Sequence, residues 1–144
     1  MNAIVVDGLA KAYGSSPVLT GLSLTVRTGS FVAVLGASGS GKTTLLRVLA
    51  GFEGADAGSV ELCGNVVDDG VRRAPPEQRR VGYVPQEGAL FPHLNVAANV
   101  AFGLPRQRRG GRWIGGLLEL VGLAGLDRRR PHELSGGQQQ RVAL

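Results

Sequence analysis

Eight consecutive residues constrain this chain more than any other feature: Gly36-Ala37-Ser38-Gly39-Ser40-Gly41-Lys42-Thr43. Before them runs Phe31 to Leu35, continuously apolar, as a strand buried on both faces would be. After them Thr44 to Ala50 reads as a helix, and Gly51 stops it. Strand, glycine-rich loop and helix are the setting in which the pattern G-x-x-x-x-G-K-[ST] holds phosphate. Glycines let the backbone curl so that successive N–H groups point into one hollow. The helix behind presents its positive dipole end and free N–H groups to the same place. Lys42 adds a full charge suited to β- and γ-phosphates, and the Thr43 hydroxyl is a ligand for Mg²⁺. The plain alternative is a glycine-rich turn with an exposed lysine; the strand before and the helix after weigh against it.

Composition narrows the rest. A chain of 144 residues is one domain or part of one, and 43% hydrophobic content is ordinary for a soluble globular domain. The single Cys63 excludes a disulfide framework and makes no zinc cluster; it reads as a buried or hairpin thiol. Met1 to Asp7 has no basic run before an apolar stretch, so no secretory signal is expected. No window approaches the roughly 18 uninterrupted apolar residues of a membrane span. The chain is therefore expected to be soluble, with any membrane role exercised through a partner. The net charge of +5 is carried almost wholly by arginine, since only Lys11 and Lys42 are lysines. The arginines lie in short runs without the interleaved aromatics of a base-stacking surface, so no nucleic-acid partner is expected.

Along the chain, Ile4 to Val6 reads as a strand, and Leu22, Leu24 and Val26 alternate with polar residues at the period of a half-buried one. Gly58 to Leu62 and Val66-Val67 flank Gly64-Asn65 and suggest a hairpin. Ala74-Pro75-Pro76 breaks the chain, and Val81 to Val84 is another short strand ended by Pro85. Apolar spacing then turns helical, over about Val96 to Gly103 and Arg112 to Val121, although Gly110-Gly111 and Gly115-Gly116 disfavour helix. A last helix should begin near Ser135, a good N-cap. The class is α/β, with strands alternating with helix early and helices dominating later.

A second constellation is Leu134-Ser135-Gly136-Gly137-Gln138-Gln139-Gln140-Arg141. Alone it is a polar turn before a helix, yet its physics favours an anion: a capping serine, two glycines exposing backbone N–H groups, and a helix dipole behind. One chain does not need two phosphate-binding helix starts for one nucleotide. Two copies facing head to tail would use both.

With these residues in place, the sequence resembles the ATP-binding subunits of ABC transporters over its whole length. Leu134 to Gln138 matches their LSGGQ signature, and Gly36 to Thr44 their Walker A loop. Tyr13-Gly14 resembles the A-loop that stacks on adenine, and Val84-Pro85-Gln86 the Q-loop, whose glutamine approaches Mg²⁺ and the γ-phosphate. The resemblance implies ATP and Mg²⁺ as cofactors. Nucleotide would be held by Tyr13, Gly36, Ser38, Gly39, Ser40, Gly41, Lys42, Thr43 and Thr44. Ser135, Gly136, Gly137 and Gln138 of a second copy would close over the γ-phosphate. Lys42 and Gln86 would be catalytic, and Thr43 and Gln86 would attend the metal. His93 and His132 do not stand at the family's switch histidine and read as structural or surface residues.

The family's Walker B strand, catalytic glutamate and switch histidine follow the signature, and none stands before Leu144. The expectation is an N-terminal fragment of a longer subunit, inactive as an ATPase by itself. Its fold would be a P-loop core with an antiparallel β-subdomain over residues 1–87, followed by an α-helical subdomain over 88–144. The stretch from Arg79 to Leu104 resembles importer ATPases, most of all those for ferric iron, with polyamine, sulfate, thiosulfate and molybdate importers close by. The resemblance implies a head-to-tail dimer at the cytoplasmic face of the membrane, bound to permease subunits and indirectly served by a solute-binding protein. The segment Glu87 to Pro92, with Leu90 and Phe91, is expected to grip the permease, so that Glu87 reversal or Phe91→Ala uncouples ATPase from transport. The competing readings are an ABC-type ATPase without a transporter and a non-catalytic nucleotide-binding module.

Overall fold

In the computed structural model, which describes residues 1–86 and 90–144, a long antiparallel hairpin is formed by β1 (Asn2–Tyr13) and β2 (Ser16–Arg27). The sequence pattern exposes only the middles of these strands. Their turn, Gly14-Ser15, is two residues long, and Gly14 takes a positive φ of 59°, which suits the right-handed twist of the flanking strands. Along β2 the half-buried Leu22, Leu24 and Val26 alternate with exposed Ser23, Thr25 and Arg27, as expected. β3 (Ala57–Leu62) and β4 (Asn65–Asp68) extend the sheet, whose order is β2-β1-β3-β4, antiparallel throughout. Leu62 pairs with Asn65, so the second hairpin turns at Cys63-Gly64, one residue before the position the sequence suggests. Both turn residues have positive φ, and Cys63 is a hairpin thiol that is exposed rather than buried.

One helix covers this sheet. α1 (Lys42–Ala50) buries Leu45, Val48 and Leu49, the i, i+3, i+4 stripe of one face, against Val6, Leu9 and Val60. Gly51 ends it in the left-handed conformation at φ 87°, a conformation that glycine adopts without strain. A short helical turn, α2 (Pro76–Arg79), follows the proline break. These elements form one compact unit, Met1–Gly82; Tyr83–Leu144 forms a second.

The second unit is helical. α3 (Val96–Ala101), α4 (Gly111–Leu120) and α5 (Gly136–Ala143) enclose Val96, Ile114, Leu118, Leu123, Leu134 and Val142. The glycines of α4 are outweighed by burial of Ile114 and Leu118, one turn apart on the same face. The boundary expected between residues 87 and 88 lies outside the described residues.

Two expected strands are absent. Phe31 to Leu35 and Val81 to Val84 join no ladder; Phe31 is 96% exposed and Leu35 is 89% exposed. Apolar composition makes a segment suitable for burial but provides no hydrogen-bonding neighbour. Among the described residues the sheet ends at β2 and β4, and neither edge takes these segments. The burial on both faces expected of Phe31 to Leu35 is therefore not found, and its apolar side chains stand exposed.

Candidate functional site

The glycine-rich loop arrives at α1 through Gly41, whose φ of 87° places it in the left-handed region. A Cβ there would stand 2.8 Å from Leu19 Cδ2 and 3.0 Å from the Val18 carbonyl oxygen. Backbone conformation and the closeness of β2 both demand glycine. Gly39 is also left-handed, at φ 80°. Gly36 faces Ser40, whose Oγ would lie 2.6 Å from an added Cβ. Lys42 folds back over this curl: its Nζ donates to the carbonyls of Gly36 at 2.8 Å and Ala37 at 2.7 Å, and more weakly to Ser40 Oγ at 3.4 Å. The ammonium is thereby held within the loop it closes.

No side chain caps the N-terminus of α1, and its first turn holds no acidic residue. The opening N–H groups of a nine-residue helix and its dipole therefore face outward beside Lys42. Gly36, Ser38, Gly39 and Thr43 are exposed around them, Gly41 is buried and Thr44 is half-buried. A helix start without a capping side chain beside an ammonium favours an anion. Thr43 supplies one hydroxyl oxygen. Among the described residues no cluster of three or more His, Cys, Asp or Glu could hold a metal. A donor set of one hydroxyl suits Mg²⁺, which keeps several waters and takes the rest of its ligands from phosphate.

Tyr13 is the last residue of β1, 47% exposed at the mouth of the hairpin turn. Lys11 Nζ lies 5.7 Å from its ring centroid. Asp56 holds Lys11 Nζ at 2.8 Å and the Ala12 N–H at 2.7 Å. The hydrogen bond from Lys11, then that from Ala12, draws the Asp56 carboxyl below its usual range. A lowered folded-state value means that this contribution is complete above the ordinary carboxylate range and is lost as pH falls through the lowered one. Asp56 carries no motif signal; only the turn-prone Gly54-Ala55-Asp56 before a strand marks the place.

The second unit carries the other constellation. Ser135 caps α5: its Oγ accepts from Gln138 N at 3.3 Å, and Gln138 Oε1 accepts from Ser135 N at 2.9 Å. The Ser135 hydroxyl hydrogen remains available for another acceptor. Gln139 reaches back to the carbonyls of Pro131 at 2.9 Å and Leu134 at 3.4 Å, fixing the turn before the helix. Leu134 and Val142 are buried in the core, while Ser135, Gly136 and Gly137 are exposed. Nothing lies within 4 Å of a Cβ built on Gly136 or Gly137. Both stand in the first turn of α5 with open space around them.

Gln86 is exposed, and its carbonyl accepts from Gln140 Nε2 at 3.3 Å. Glu87 lies outside the described residues. Leu90 packs against the helical core. Phe91 stacks on Phe102 with ring centroids 4.2 Å apart. Asn99 holds the Phe91 backbone at both ends, accepting its N–H at 2.8 Å and donating to its carbonyl at 3.2 Å. His93 sits against the edge of Phe91, and His132 is exposed in the turn before the signature. Both fit the surface role expected of them.

The sequence had no means of finding Arg79, which is fully buried beside α1. Its guanidinium donates to the carbonyls of Val48 at 2.7 Å, Leu49 at 3.3 Å, Val67 at 3.2 Å and Ala74 at 2.8 Å, and pairs with buried Asp68 at 3.5 Å. Burial lowers its pKa, and Asp68 opposes that shift. In the sequence it is one arginine of a short run.

Residues 19–144 match the ABC transporter family. The Fe(3+) ions import ATP-binding protein FbpC 1 of Rhodococcus jostii (strain RHA1) is 54% identical over 143 residues, which is 99% of this chain and 41% of that protein. The Fe(3+) ions import ATP-binding protein FbpC of Pseudomonas fluorescens (strain Pf-5) is 53% identical over 150 residues, covering 100% of this chain and 41% of its own length. That of Yersinia enterocolitica is 49% identical over 149 residues, covering 100% and 42%. The chain therefore spans less than half the length of these relatives.

Proposed function

The chain belongs to the ABC transporter family, and from that premise we propose that it forms the nucleotide-binding part of an ATPase that drives ferric-iron import. The observation that carries the nucleotide reading is the Lys42 ammonium, held by the Gly36 and Ala37 carbonyls beside the uncapped start of α1. The cargo rests on relatives named for Fe(3+) import and about half identical over nearly the whole chain. Their names speak for those proteins, and the cargo of this one is a proposal.

In this reading the loop from Gly36 to Thr43 cradles the phosphates of ATP, and Tyr13 stacks on the base. Thr43 attends Mg²⁺, which on binding would neutralise charge on the β- and γ-phosphates. Lys42 contributes a point charge to the same oxygens. Ser135, Gly136, Gly137 and Gln138 donate to the γ-phosphate held by a second copy. The free Ser135 hydroxyl hydrogen and the unobstructed glycines support that role. Phosphoryl transfer needs little covalent chemistry from a protein, so positioning and charge are what these residues contribute.

No helix among the described residues is long and apolar enough to cross a membrane. The transporter's spans would come from permease subunits, with this chain at their cytoplasmic face. Phe91, stacked on Phe102 and presented by Asn99, is the anchor proposed to meet the permease.

Uptake of radioactive ferric iron tests the whole reading. Cells lacking the gene should recover uptake on complementation with the unaltered gene and not with Lys42→Ala. Phe91→Ala should lower uptake by roughly tenfold, the loss of one modest interface anchor, while nucleotide binding stays intact. Recovery of another cargo in place of ferric iron would reject the substrate. Normal uptake in Phe91→Ala would reject the placement of the permease contact.

A further inference from the structure

Beyond the end of β3, the strand that carries Tyr13 is held by a side chain. The β1–β3 ladder closes at Ala10 and Ala57, and Asp56 N donates to the Ala10 carbonyl at 2.9 Å. β1 then runs three residues further, through Lys11 and Ala12 to Tyr13, with no residue of β3 opposite. The Asp56 carboxylate takes the missing strand's place. One oxygen accepts the Ala12 N–H at 2.7 Å, and the other accepts Lys11 Nζ at 2.8 Å. The Lys11 side chain is only 15% exposed, and its ammonium stands 5.7 Å from the centre of the Tyr13 ring. The Lys11 ammonium occupies one side of the ring at cation–π distance, and Tyr13 as a residue is still 47% exposed.

We propose that Asp56 and Lys11 form a latch that fixes the Tyr13 ring as a platform for the nucleotide base. The proposal rests on the reading of Tyr13 as the adenine-stacking residue. Asp56 is a positioning residue: it sets the backbone one residue before Tyr13 and, through Lys11, backs the ring. The latch acts on the base-dependent part of binding and leaves the phosphate cradle alone. Its geometry lies wholly within the first unit, on strands that the β1–β2 ladder keeps in register without it.

Titration calorimetry with two probes, ATP and inorganic tripolyphosphate, separates the two parts. Stacking of a base on an aromatic side chain is worth about 1–3 kcal/mol, or about 5- to 150-fold in affinity. Tyr13→Ala should weaken ATP by an amount in that range and leave tripolyphosphate unchanged. Asp56→Ala and Lys11→Met should each weaken ATP by about fivefold, the lower end of the same range, with tripolyphosphate again unchanged. Asp56→Asn, which keeps an acceptor for Ala12 and loses the charge pair, should fall between Asp56→Ala and the unaltered protein. Adding Asp56→Ala to Tyr13→Ala should cost nothing further. Equal losses for both probes in Asp56→Ala would show general damage and overturn the latch. Unchanged ATP affinity in Asp56→Ala and Lys11→Met, with Tyr13→Ala still weak, would overturn the latch and leave the platform standing. Unchanged ATP affinity in Tyr13→Ala would remove the platform itself, and the latch with it.

Discussion

Replacing Lys42 with alanine should weaken ATP binding by about a hundredfold, close to 2.7 kcal/mol, while the unfolding midpoint hardly moves. Two losses add. The first is a full positive charge at an anion site, where a charge-assisted hydrogen bond contributes about 1.5–3 kcal/mol. The second is the closure of the loop itself, since the same ammonium bonds the carbonyls of Gly36 and Ala37. Stability should be nearly spared, because these bonds lie at the exposed surface and no core residue leans on them. Lys42→Arg separates the two losses. It keeps the charge, but a planar fork does not fit two converging carbonyls and Ser40 Oγ as a compact ammonium does. Its affinity should lie between those of alanine and lysine. Calorimetric titration with ATP measures both, and an alanine variant that binds as tightly as the unaltered protein contradicts the site.

Arg79→Met should destabilise the first unit by about 3–5 kcal/mol, the cost of breaking a buried ion pair by removing one partner. Its guanidinium gathers four carbonyls from three elements: Val48 and Leu49 in the last turn of α1, Val67 in β4, and Ala74 before α2. Without it the end of α1 loses acceptors' partners that no water can replace in the core. Asp68, fully buried, would keep Arg73 at 3.3 Å as its ionic partner among the described residues. Asp68→Asn should cost less, because an amide oxygen in the place of Oδ2 can still accept from Ala55 N at 3.3 Å and from Arg79 at 3.5 Å, and only the Gly70 N–H at 3.2 Å loses its acceptor. Urea unfolding followed by circular dichroism measures each. A loss under about 1 kcal/mol in Arg79→Met would mean that the pair fixes geometry without contributing stability, as some buried pairs do.

What the sequence made legible was local. The helix Thr44 to Ala50 and its stop at Gly51, the alternation Leu22-Leu24-Val26 and the cap at Ser135 each rest on residues close together in the chain, and all appear. Phe31 to Leu35 and Val81 to Val84 have the composition of strands but form none, because a ladder depends on a neighbour elsewhere in the chain. The second hairpin turns at Cys63-Gly64 instead of Gly64-Asn65 because positive φ falls on Cys63, a residue type that seldom takes it. Asp56, Arg79 and Asn99 were invisible for the same reason as the strands. Each acts on backbone groups between 4 and 44 residues away, and nothing in the residue type announces which. At the site, Lys42, Gly41 and Ser135 stand where the spacing placed them, while the supports beneath Tyr13 emerged only from the fold.

The central claim is that the loop from Gly36 to Thr43 is half of a site that a second copy completes. Sedimentation velocity on a mixture of two variants tests it directly. Lys42→Ala disables the loop and leaves the signature intact. Gly137→Asp places a carboxylate where phosphate should approach, at a position with open space around it that the fold should tolerate. With ATP and Mg²⁺, each variant alone should remain monomeric, because every composite site would contain one disabled half. Mixed one to one, they should form a dimer, since the intact loop of one copy meets the intact signature of the other. A mixture that stays monomeric while the unaltered protein dimerises would contradict the composite site.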